Sequence, residues 1–217
     1  MKQDRQINRG NAHFLVEDAR FSELLGQADW ARLPDAVRRR FGKRVCGGGS
    51  VTYQGQVTKM ALSPAGWMLA QLARLIGGPL PFDLGSRDQP AVVVVTEDIV
   101  GPGQFWIRQY GRKRGFPQVV HSSKRFAGPT GLEEYIGCGI GIALSLRVNG
   151  AVLEFVSDHY FISIRGRRLP LPSWLSPGEL VIGHEDLGSG KFNFSLRLRH
   201  RVLGMLAAQD AIFQDAS

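Results

Sequence analysis

The chain has 217 residues, 43% hydrophobic and 21% charged, with 27 glycines and a formal charge of +8. That length suits one substantial domain, able to bury roughly 70% of its unfolded surface without staples, and the composition excludes a disordered or low-complexity chain. No apolar run approaches the ~18 residues of a membrane helix and no leader-like apolar segment opens the sequence, so a cytoplasmic protein is expected.

Cys46 and Cys138 stand in unrelated contexts without CxxC spacing, which gives no disulfide framework. The basic residues are scattered: "RRRFGKR" at 38–44, "RQYGRKR" at 108–114, "RGRRLP" at 165–170 and "RLRHR" at 197–201. No recognition helix or RNP-like aromatic pattern accompanies them, so a solvated surface is favoured over a nucleic-acid interface.

In chain order, residues 1–20 are polar and aperiodic and form an expected arm ahead of a single domain over 21–214. "FSELLGQADWARLPDAVRRRFG" (21–42) reads as two short helices, with Pro34 suited to a first turn and Gly42 to a stop. "CGGGS" (46–50) is a turn; it lacks the GK[ST] ending of a phosphate loop. A strand is expected over 51–62. "SPAGWMLAQLARLIGG" (63–78) is the clearest helix, with Ser63 as cap, Pro64 at its first position and Gly77 at its end. Its apolar residues go nearly all the way round, so it is expected to lie buried, against a partner, or over an open barrel end.

From residue 90 the period changes to two. Strands are expected over 91–100, 103–111, 119–127, 140–148, 151–164, 179–186, 191–200 and 203–213, with Asn149-Gly150 as a tight hairpin turn. "LPLPSWLSP" (169–177) is expected as a loop, because its prolines remove ladder donors. The whole is α+β but mostly β: an antiparallel β-barrel or strongly curved sheet of about nine strands, with two or three helices of the N-terminal half packed at one end.

The densest polar chemistry lies in "HSSKRFAGPTGLEEYIG" (121–137). Its ordinary reading is a connection: a strand end, a Gly-Pro-Thr-Gly turn, then one helical turn with Glu133 near its start. The functional reading puts Arg125, Glu133 and Tyr135 at a cavity rim, where they fix the polar head of an apolar ligand, with Trp67 and Trp106 as apolar ligand contacts. His159 and His184 lie on strands. By strict alternation His159 shares a face with Leu153 and Phe155, and His184 with Leu180 and Ile182, so either, if it faces inward, could act as a general base. Neither histidine has HxH or HExxH spacing, and no metal or cofactor is expected.

The stretches "HSSKRFAGPTGLEEYIGCGIGIALSLRVNGAVLEF" and "LPLPSWLSPGELVIGHEDLGSGKFNFSLRLRHRVLGML", with "FSELLGQADWARLPDAVRRRFG" and "WMLAQLARLIGG", resemble the bacterial domain-of-unknown-function family DUF4166 over roughly residues 21 to 214. The resemblance implies a stand-alone protein or a domain attached to a nucleotide-binding oxidoreductase-like module. No strand here is followed by GxGxxG, so an oxidoreductase would be a separate partner. The expected function is binding of a small hydrophobic ligand, lipid-like or polyketide-like, in the barrel. Two alternatives stand beside it: a cavity enzyme of isomerase or cyclase type using Glu133, His159 or His184, and an accessory domain. In the last, helix 64–76 docks an oxidoreductase or touches a membrane peripherally.

Overall fold

The computed structural model describes residues 14–215, so most of the expected arm lies outside the described residues. From Leu15 the chain is already ordered into β1 (Leu15–Glu17), which pairs antiparallel with β2 (Lys43–Val45). Between them stand three short helices where two were expected: α1 (Arg20–Leu25), α2 (Gln27–Arg32) and α3 (Asp35–Phe41). Gly26, at φ 84°, divides the first from the second, a conformation only glycine takes without strain. None is long enough to persist alone in water. They are held by Phe21, Leu33, Val37 and Phe41, all buried. Phe41 packs against the rings of Phe21, Trp106, Phe155 and His184, and these helices thereby stopper one end of a barrel.

The barrel has ten antiparallel strands. β3 (Ser50–Leu62) is followed by the helix α4 (Pro64–Ala73) and then by β4 (Pro90–Asp98), β5 (Gly103–Tyr110), β6 (Gln118–Arg125), β7 (Glu133–Gly137), β8 (Ile140–Asn149) and β9 (Val152–Ile164). The short strand β10 (Arg167–Pro170) pairs with β9 outside the ring. Then β11 (Glu179–Gly188), β12 (Lys191–His200) and β13 (Gly204–Asp215) complete the circuit, β11 against β9 and β13 against β3. Nine of the ten are the strands that period-two alternation picks out. The tenth, β7, occupies the place expected to be a helical turn, and only residues 171–177 of the expected proline loop remain without strand structure.

Alternation puts Val93, Val95, Trp106, Leu153, Phe155, Ile182, Phe192 and Phe194 on the inner face, where all are buried. One bulge changes the pattern. Ala143 pairs with His159 but Leu144 with Ser157, so β9 carries an extra residue there. Beyond it the faces exchange: Tyr160, an even position, points inward, and His159 points out, not with Leu153 and Phe155 as strict alternation predicts.

α4 lies across the end opposite the three-helix stopper. The Ser63 side chain accepts from the Gly66 N–H at 3.1 Å and Pro64 takes the first turn, as expected. Gly66 is required for the seating: a Cβ there would lie 1.8 Å from the Leu206 carbonyl oxygen. The helix is buried on its small side, Gly66, Ala70 and Ala73, while Trp67, Met68, Leu72 and Leu75 face outward, Leu75 with 81% of its surface accessible. A 3₁₀ turn over Arg74–Ile76 carries the chain to Gly77, left-handed at φ 108°.

Candidate functional site

Beneath α4 the barrel encloses a cavity of about 400 Å³. Its lid is formed by Ala65, Leu69, Ala73 and Ile76 from the α4 segment, and by Leu171 and Leu175 from the loop before β11. Tyr110, Val120, Ile136, Ile142, Leu180 and Leu198 wall its outer part, with His121, Ser176 and His200 as the polar residues at that end. One step deeper along the same strands the lining changes, and Arg108, Ser122, Glu134 and Gln209 appear. Phe194 and Ile182 complete this floor. An apolar shaft ending on a polar floor is the arrangement of a site for a molecule that is mostly apolar and polar at one end.

The floor is built by neighbouring strands. Trp106 pairs with Ser122 on β5 and β6, and Lys124 pairs with Glu134 on β6 and β7. Ser122, Lys124 and Glu134 therefore share the inner face with Arg108, and all four are buried. The Ser122 hydroxyl donates to Glu134 Oε1 at 2.5 Å and accepts from Arg108 Nη1 at 3.2 Å. Lys124 Nζ lies 2.9 Å from Glu134 Oε2, and Arg108 Nη2 lies 3.7 Å from Glu134 Oε1. Burial alone would push the Glu134 carboxyl up, but Lys124 and Arg108 outweigh it and hold it below the usual carboxylate range. Burial draws the Lys124 ammonium down, with Glu134 opposing and Arg108 adding to the fall. Gln209, across the cavity on β13, is fully buried, and neither of its amide atoms has a hydrogen-bond partner among the described residues.

The alternate residues of the same stretch form a second network on the outer face. Asp98 accepts from the Ser123 hydroxyl and, at 2.6 Å, from Arg125 Nε. The Arg125 guanidinium lies 4.7 Å from the centre of the Tyr135 ring, whose hydroxyl donates to Glu133 Oε2 at 3.0 Å. Arg168 of β10 closes the chain on Glu133 Oε1 at 2.5 Å. The structure thus brings Arg125, Glu133 and Tyr135 together, as expected, but outside the cavity lining. Glu133 begins a strand, not a helical turn, because β6 and β8 pair with it on either side.

The remaining candidates are dispersed. His159 is on the outer face beside Asp158, at 2.7 Å. His184 is inward but lies behind the floor, enclosed by Phe41, Trp106, Phe155, Phe192 and Phe194. Burial, reinforced by Arg40, Lys124 and Arg108, pushes its imidazole well below the ordinary value, so it is neutral at pH 7. Trp106 belongs to the same aromatic group, and Trp67 is on the outward side of α4. No group of three or more metal-ligating side chains converges among the described residues, and no helix among them is long and apolar enough to cross a membrane.

The floor is made by residues that the sequence does not single out as a site, Arg108, Ser122, Glu134 and Gln209, with Lys124 directly behind them. The available signal was parity with Val120, an apolar residue that marks the inner face of β6.

No curated protein matches the chain. A family model described as a domain of unknown function, DUF4166, matches residues 33–213. With most of its length inside that match, from α3 through nearly all of the barrel, the chain belongs to the DUF4166 family.

Proposed function

We propose that this protein binds a small, mostly apolar molecule, lipid-like or polyketide-like, inside its barrel. The observation that carries the reading is the cavity of about 400 Å³ with apolar walls and a few polar groups at its closed end. That volume lies within the range of small-molecule sites, and protein interiors left to pack by themselves hold few voids larger than a water molecule. Binding is better supported than acid–base catalysis. Glu133 and His159 lie outside the lining, His184 lies behind it, and Glu134 on the floor is engaged by Lys124.

The test is native mass spectrometry of the purified protein, then organic extraction and identification of what is released, together with uptake of the neutral dye Nile red. A near-stoichiometric apolar molecule, or saturable dye uptake, supports the reading. Protein that releases nothing and leaves Nile red unbound overturns it.

One observation favours a second role beside this one. The outward side of α4 exposes Trp67, Met68, Leu72 and Leu75 together, which suits contact with a partner such as a separate oxidoreductase. Replacing Trp67 and Leu75 by Ser would weaken that contact and leave dye uptake unchanged, since neither side chain lines the cavity.

A further inference from the structure

The floor of the cavity, taken with Lys124 directly behind it, holds more positive than negative charge. Arg108 and Lys124 both lean on one carboxylate, Glu134, and all three are at most 5% exposed. Just behind them His184 is neutral and adds no charge of its own. The outer-face carboxylates Asp98 and Glu133 are taken up by Arg125 and Arg168. A buried, uncompensated cation is costly unless an anion reaches it.

The donors on the floor are also underused. A guanidinium carries five N–H donors, and Arg108 donates one hydrogen bond among the described residues, to Ser122 Oγ. The one donor of Ser122 is taken by Glu134. Gln209, three strands away around the ring, has an unpartnered amide NH₂ and lines the same space.

We infer that the ligand carries a single negative charge at one end, a carboxylate, seated on Arg108 and the Gln209 amide with its apolar body running up the shaft toward α4. The inference rests on the cavity-binding reading and adds the head-group chemistry to it. A monoanion makes the Arg108–Lys124–Glu134 layer neutral, whereas a dianionic phosphate would reverse its sign and a hydroxyl would leave the excess in place. The guanidinium also offers a carboxylate two parallel N–H donors, a fit a neutral head cannot use.

The experiment is competition against bound Nile red at pH 7 by decanoate and by decanol, which share an apolar chain and differ at the head. Decanoate is expected to displace the dye at roughly ten- to a hundred-fold lower concentration, the worth of charge-assisted hydrogen bonds over a neutral one. Arg108→Met should bring the decanoate-to-decanol ratio to about one. Gln209→Leu should lower it several-fold, and carries the test if Arg108→Met does not fold. If decanol competes as well as decanoate in the unaltered protein, the head-group inference is overturned while the cavity reading stands. If Nile red never binds, the cavity reading itself fails and takes the head-group inference with it.

Discussion

Replacing Gln209 by Leu should make the protein more stable. The side chain is fully buried on β13, opposite Leu196 of β12 and Met60 of β3, with both amide atoms unpartnered among the described residues. A buried polar group without a partner costs about 1–3 kcal/mol, and Leu has nearly the same volume without the polar atoms. For a domain of this size each kcal/mol moves the melting temperature by about 2–4 °C, so Gln209→Leu is expected to raise Tm by roughly 2–12 °C. Differential scanning calorimetry without ligand is the assay, paired with dye competition to show the accompanying loss of carboxylate preference. A gain in stability set against a loss of binding is the usual signature of a side chain kept for function. A variant that melts lower than the unaltered protein would refute the reasoning, since it would mean the amide is satisfied in the folded state.

Four further outcomes follow from the same structure. Phe41→Ala removes the ring at the centre of the stopper and should cost about 3–5 kcal/mol in urea unfolding; a loss under about 1 kcal/mol would show that stopper and barrel are not one cooperative unit. Gly66→Val places side-chain atoms against the Leu206 carbonyl and should lift α4, speeding stopped-flow release of Nile red; an unchanged rate would show that α4 does not gate the cavity. In acid, burial pushes the Asp98 carboxyl up, but bonds from Ser123, Arg125 and the Gly101 N–H outweigh it and leave it below its ordinary 3.8. Its stabilising contribution is therefore complete above about pH 4 and lost as pH falls through the lowered value, so Tm should drop there and Asp98→Asn should flatten that drop. In alkali, burial raises the Tyr110 phenol to about 12 from 10.0. That raised value stabilises the protein below pH 10 and the contribution is lost between pH 10 and 12; an absorbance titration of tyrosinate, compared with Tyr110→Phe, checks it.

Much of this architecture is written in local pattern. Ser63-Pro64 marks the start of α4, Asn149-Gly150 marks the hairpin from β8 to β9, and alternation in "FNFSLRL" marks β12, because each signal depends on backbone geometry within a few residues. β7 is different. Adjacent Glu133 and Glu134 after a turn look like a helix start, and the segment becomes a strand only because β6 and β8 flank it and because a cation waits on each side, Arg168 outside and Lys124 inside. The site was half legible for a related reason. The stretch 121–137 does carry it, but both faces of β6 and β7 are polar, so nothing within the stretch says which face is the lumen, and a choice of the wrong parity selects Arg125, Glu133 and Tyr135 in place of Lys124, Glu134 and Ser122. His159 was lost to the bulge in β9, which no local composition announces.

The join between β13 and β3 has a consequence for how the molecule comes into being. The paired residues lie roughly 150 positions apart in sequence, and contacts of such separation form late because the intervening chain must first be gathered in. A chain emerging from the ribosome presents the stopper helices, then β3 with one edge unclaimed, then the other strands in turn. The ring stays open until β13 arrives, and β13 is also the strand that supplies Gln209 and the Leu206 carbonyl on which α4 is seated. The cavity is thus the last part of the molecule to exist, although its lid is among the first parts made.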